Sequence, residues 1–234
     1  MENNQINIKN LKNIIEAILF TYGKDIELKE IIRIIKDGFV CILGEENPEL
    51  EFINKQNIIK AIDELMADYQ DSDGMAVKGV ELVHTALGYR FQAQVKYKSF
   101  LQCLTIEKPP KYSKAVLETL AIMAYRQPIT RAEIESIRGV AVSSEVIRKL
   151  LDREWVQVIG HKEVPGRPAV YATTKLFLSD LGLERLEDLP VFTKEDDEQD
   201  KVQEITEVLA ENIIKLESES NIKSESESES EEVV

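Results

Sequence analysis

The residues best suited to chemistry are scattered along the chain and form no constellation. Two cysteines, Cys41 and Cys103, lie far apart without a CxxC spacing, and two histidines, His84 and His161, complete no metal-ligand pattern. None of the 10 glycines builds a GxGxxG or GxxxxGK[ST] phosphate loop, and no GxSxG elbow is present. No His, Cys and Asp arrangement offers an activated nucleophile. His161, in Gly160-His161-Lys162-Glu163, reads as a solvated residue at a strand end rather than a general base, and His84 falls in an alternating strand. These observations argue against an enzyme and imply no cofactor and no metal.

Two polar segments stand out instead. In Tyr125-Arg126-Gln127-Pro128-Ile129-Thr130-Arg131, a helix–helix turn accounts for Pro128, Ile129 and Thr130, with Glu133 completing a capping box. The turn does not require Tyr125, Arg126 or Arg131. In Lys162-Glu163-Val164-Pro165-Gly166-Arg167-Pro168, two prolines flank Gly-Arg. Such a loop is stiff, and stiffness lowers the ordering cost of binding; a rigid turn with a solvent-facing Arg167 is the simpler alternative.

The elements that position these segments follow from periodicity. Ile14, Ile15, Ile18, Leu19 and Tyr22 predict a first helix. Helices over Glu27–Lys36 and Gln56–Met66 come next, and Asp71–Gly74 is a turn cluster. Tyr89, Phe91 and Ala93 alternate with polar residues as on a strand, with Gly88 at the bend. The second half repeats the plan. Ser113 caps a helix carrying Val116, Leu117, Leu120, Ala121 and Ala124; Thr130 starts a second, which Gly139 ends; Ser143 or Ser144 starts a third. Trp155–Ile159 and Ala169–Thr173 read as strands. Tyr22, Ile26, Glu30 and Ile31 fall on Tyr125, Ile129, Glu133 and Ile134 at one offset, and Ile14 falls on Leu117. Three helices with a hairpin, twice over, is a winged-helix-like arrangement, which does not by itself assign a function. The fold class expected is α+β, mainly helical, with two tandem winged-helix-like domains over 1–105 and 113–190. An extended Lys/Pro linker over 106–112 joins them, and an acidic, disordered tail over 191–234 follows.

Charge sharpens this division. The chain of 234 residues carries a formal net charge of −14. Residues 191–234 hold four Lys against fifteen Asp or Glu, a net of −11, which leaves −3 for residues 1–190. The acidity is therefore a tail property. Within the tail, Val202, Ile205, Val208, Leu209, Ile213 and Leu216 mark one face of a short amphipathic stretch, read either as a transient helix or as a docking helix. The opening Met1-Glu2-Asn3-Asn4 lacks a basic region followed by an apolar run, so no signal peptide is expected, and no membrane association. A DNA-binding regulator is the rival reading. Its third helices mix signs, with Arg148, Lys149 and Arg153 beside Glu145, Asp152 and Glu154, which favours a solvated or protein-facing surface.

The stretches Leu117–Val140 and Gly160–Thr174, the ending Phe177–Leu183 with Leu186–Pro190, and the opening Ile14–Phe20 resemble the ScpB family of segregation and condensation proteins, over about residues 8–190. His161 and Ala172 depart from the usual Arg and Gly. The resemblance implies a tandem winged-helix, non-enzymatic adaptor. It also implies a homodimer through the N-terminal domain, an ScpA-type kleisin as partner, and an SMC ATPase reached through the kleisin. DNA association would be indirect or weak, and the location cytoplasmic and nucleoid-associated. On that reading Ile14, Ile18 and Leu19 are candidates for the dimer interface. Tyr125, Arg126, Arg131, Arg138 and Arg167 are candidates for gripping the kleisin, since Arg offers a planar fork of donors and Tyr a large area with one hydroxyl.

Overall fold

The computed structural model describes residues 8–45, 47–70, 77–101 and 112–189. The Glu107–Lys111 linker, the Asp71–Gly74 turn cluster, Cys103, and everything from Pro190 onward, the 202–216 stretch included, lie outside them. The chain divides into two compact units, one up to Tyr97 and one from Lys98 on.

The first unit comprises α1 (Ile8–Tyr22), α2 (Leu28–Leu43), α3 (Lys55–Asp68), β1 (Val80–Thr85) and β2 (Gly88–Ala93). Leu11, Ile15 and Leu19 repeat every fourth residue, so α1 turns one continuous apolar stripe inward. Ile31 and Ile35 of α2, Ile58, Ala61, Ile62 and Leu65 of α3, and Leu82 of β1 close the core around it. Asn54 starts α3, its side-chain oxygen accepting from the Asn57 N–H at 3.0 Å. Helix α2 runs seven residues beyond the expected Lys36, to Leu43. Phe39 and Leu43 pack against the core, and that burial carries the helix through Gly38, where propensity alone argues for a stop.

The hairpin is covered on both faces. Tyr89 and Phe91 pack against the core, as the alternation predicts. Arg90 and Gln92 on the other face are buried as well, in a polar chain of their own. Arg90 donates to Asp25 at 3.1 Å and to Gln92 at 3.1 Å, Gln92 donates to Glu81 at 2.6 Å, and the Thr85 hydroxyl donates to Asp25 at 2.6 Å. The α1–α2 turn thus reaches across to the hairpin. Backbone bonds reinforce it: Ile26 and Tyr89 exchange N–H donors, each at 3.0 Å. Gly88 makes this approach feasible, because its φ is +130° and an added Cβ would lie 2.2 Å from the Ile26 carbonyl oxygen.

The second unit contains α4 (Lys98–Leu101), α5 (Lys114–Arg126), β3 (Ile129–Thr130), α6 (Arg131–Arg138), α7 (Ser144–Asp152), β4 (Val156–His161), β5 (Ala169–Thr173) and α8 (Lys175–Asp180). Helix α5 is central: Val116, Leu117 and every residue from Thr119 to Ala124 are buried. The one hydroxyl in that run, Thr119, donates to the Ala115 carbonyl at 2.7 Å and so costs no unsatisfied group. Ser113 stands at the start of α5 but makes no side-chain cap bond, whereas Ser143 caps α7 by accepting from Val146. The strands form an antiparallel sheet in the order β3-β5-β4. The two-residue β3 is absent from the sequence expectation because a dipeptide has no periodicity to read. The repeat is visible in three dimensions: Ile26 bridges Tyr89 in the first unit, and its counterpart Ile129 pairs with Tyr171 in the second. Among the described residues no helix is long and apolar enough to cross a membrane.

Candidate functional site

Of the sequence-predicted residues in the second unit, Tyr125, Arg126 and Arg131 flank the α5–α6 turn and Arg167 lies in the β4–β5 loop, and a Lys162–Glu133 bond ties the root of that loop to α6. Gln127 pins the turn. Its amide nitrogen donates to the Ala124 carbonyl at 3.1 Å and the Thr173 hydroxyl at 2.8 Å, and its amide oxygen accepts from the Thr173 N–H at 2.8 Å. The Gln127–Pro128 peptide is cis. Just before this clamp, Tyr125 is half-buried, and burial pushes its phenol up to about 12, so it stays neutral as a hydroxyl donor and acceptor. Arg126 follows, exposed in the last turn of α5, where a cation suits the helix C-terminus.

On the far side of the turn, the capping box forms as expected. Thr130 accepts from the Glu133 N–H, and Glu133 Oε2 accepts from the Thr130 N–H at 2.9 Å and its hydroxyl at 2.8 Å. The other Glu133 oxygen accepts from Lys162 Nζ at 2.6 Å. The bond from Lys162, then those from the Thr130 N–H and hydroxyl, hold the Glu133 carboxyl down at about 2. Arg131 lies beside it and joins two helices: it donates to Glu135 at 3.0 Å and to Ser144 at 3.1 Å. Glu135 also accepts from the Val142 N–H at 2.9 Å; this bond first, and Arg131 second, lower its pKa.

Lys162 stands at the root of the β4–β5 loop. Its N–H donates to the Pro168 carbonyl at 3.0 Å, and the Arg167 N–H donates to Val164 at 2.8 Å, so the loop is closed by its own backbone. Gly166 has φ +87°, and Arg167 projects into solvent with Glu163 at 3.0 Å. Strand β4 lies at the sheet edge, with Val158 and Ile159 exposed around a register shift between Val158 and Gly160.

Two expectations meet a different physical placement. Arg138 has a side chain only 8% exposed, and it donates to Glu118 on α5 at 2.8 Å. Its guanidinium holds α6 against α5 and is not presented to a partner. Leu19 is 0% exposed in the core of the first unit, so it has no surface left for a second copy. Ile14 and Ile18 are partly buried against the same core. Among the described residues, α1 presents instead the neighbouring Phe20, 81% exposed, and Tyr22, 42% exposed. Phe20 falls one position off the fourfold spacing of Leu11, Ile15 and Leu19, which is the sequence signal that an apolar side chain here faces outward. Sequence reasoning also missed Lys162, because nothing local marks it as the companion of a residue 29 positions earlier.

The sequence profile described as Segregation and condensation complex subunit ScpB matches residues 13–192. The chain belongs to the ScpB family. It is 44% identical over 181 residues to a segregation and condensation protein B homolog of Coxiella burnetii, covering 77% of this chain and 78% of that protein. It is 36% identical over 181 residues to segregation and condensation protein B of Moorella thermoacetica, covering 77% and 82%. The crystal structure of ScpB from Mycobacterium tuberculosis is similar at 27% identity, covering 76% of this chain and 98% of that one, with a TM-score of 0.30. The ScpB match spans both units and takes in every candidate residue from Ile14 to Arg167, while most of the acidic tail falls beyond it.

Proposed function

We propose that this chain is a non-enzymatic, dimeric adaptor of an SMC–ScpA–ScpB complex, acting in chromosome condensation and segregation by binding the kleisin ScpA. The observation that carries the reading is the ScpB match across both units. Three helices followed by a hairpin support two tandem winged-helix domains, over 1–105 and 113–190 with a linker between them. The first domain is assigned to dimerisation, with Phe20 as the exposed anchor beside half-buried Ile14 and Ile18. The second is assigned to the kleisin. Tyr125, Arg126 and Arg131 on the turn and Arg167 on the loop supply the contacts, and Arg138 supports them from inside. ATP hydrolysis belongs to the SMC subunit. The adaptor works in the cytoplasm on the nucleoid, and its association with DNA runs through the complex.

Light scattering tests the reading directly. The purified chain gives twice its 26.7 kDa monomer mass, and a larger species once purified ScpA of the same organism is added. A monomer at every concentration that also ignores ScpA overturns it. Tyr125→Ala and Arg126→Ala then weaken ScpA binding without changing the dimer mass.

A further inference from the structure

Glu133 performs two tasks with two oxygens. Oε2 closes the capping box with Thr130, and Oε1 receives Lys162 from the root of the β4–β5 loop at 2.6 Å. Lys162 is also the residue whose N–H closes that loop on Pro168. A single carboxylate therefore joins the start of α6 to the base of the loop that carries Arg167. The counterpart in the first unit behaves otherwise. Glu30 turns to Arg33 on its own helix, and Glu27, in the place of Thr130, makes no side-chain cap bond. Folding of the three-helix plan thus does not demand this contact. The Glu133 and Lys162 side chains are 46% and 43% exposed, so solvent screens the pair and it adds little to stability.

We propose that Glu133 and Lys162 are a positioning pair: their contact sets the loop of residues 162–168 against the α5–α6 turn, so that Arg167 and the Tyr125–Arg131 segment meet an extended kleisin segment as one surface. This rests on the adaptor reading above. Neither residue needs to touch the kleisin; the pair lowers the ordering cost of the surface that does.

The test uses the full-length chain and purified ScpA. Glu133→Gln keeps the capping box, which accepts Gln as well as Glu, and removes only the charge. Lys162→Met keeps the stem and removes the ammonium; Lys162→Arg restores a cation. Each of the first two variants weakens ScpA binding about three- to fivefold, the range that an exposed ion pair can supply. The double variant is no weaker than either single one, and Lys162→Arg recovers the loss. In the free protein, hydrogen exchange at Gly166 and Arg167 speeds up in Glu133→Gln and Lys162→Met while α5 keeps its protection. If the unsubstituted chain binds ScpA and both variants bind it equally, or if exchange in the loop is unchanged, the positioning pair is refuted and the adaptor reading stands. If the unsubstituted chain ignores ScpA, the adaptor reading fails and takes the pair with it.

Discussion

The two units start from one plan and fasten it differently. In the first, the α1–α2 turn reaches the hairpin through Asp25, whose carboxylate binds Thr85 and Arg90 with both charged side chains largely out of solvent. In the second, the position 103 residues later is Pro128, which offers no carboxylate, and the neutral amide of Gln127 makes the link to Thr173. The ionic contact has moved outward, to Glu133 and Lys162. A charge pair hidden from water constrains folding, because losing one member strands the other. A half-exposed pair costs little to hold and contributes little. The first unit thus buries the ionic link between turn and hairpin, and the second keeps its own at the surface.

The largest expected effect separates adjacent residues on α1. Leu19→Ala opens a cavity in the first core and costs about 2–5 kcal/mol in urea unfolding. Phe20→Ala, one position on, stays within about 0.5 kcal/mol and instead weakens the proposed self-association, read by light scattering. Equal destabilisation by both would erase the distinction between core and surface faces. Next in size is Asp25→Ala, which takes away the carboxylate to which Arg90 and Thr85 donate. We expect a loss of about 2 kcal/mol, under the 3–5 typical of fully buried pairs because both side chains keep some solvent. Trp155, the chain's single tryptophan, lies in the second unit, so its fluorescence transition holds still while hydrogen exchange in α1–α3 accelerates. A parallel shift in Trp155 would show that the units melt as one. The smallest effect sharpens the contrast by converting one unit toward the other. Glu27→Thr supplies α2 with the N-cap side chain that Thr130 gives α6, and raises stability by about 0.5–1 kcal/mol.

How far this arrangement is legible in the sequence depends on the range of each interaction. The Thr130–Glu133 capping box spans three residues, has a fixed spacing, and stands as read. The helix of α1 does too, although its buried stripe is Leu11, Ile15 and Leu19, with Tyr22 at the surface; and so does the offset that equates Ile26 with Ile129, now visible as matching pairings with Tyr89 and Tyr171. The extension of α2 to Leu43 was hidden by Gly38, whose low propensity is outweighed by burial of Phe39 and Leu43. The long-range polar links were the least accessible. Asp25 and Arg90 are 65 positions apart, Glu118 and Arg138 are 20, and no periodicity tells which charge answers which. For that reason Arg138 looks from the sequence like one more surface arginine, and only the fold shows it facing inward.

Gly88 gives the first unit an unusual vulnerability. With the Ile26 oxygen 2.2 Å from where a methyl would go, even alanine forces the β-ribbon away from the helical corner. The helices would feel the change too, since Leu82, Tyr89 and Phe91 of the ribbon pack into the interior they share. One carbon atom at position 88 would thus reach that interior through the ribbon, although the glycine itself is no part of it.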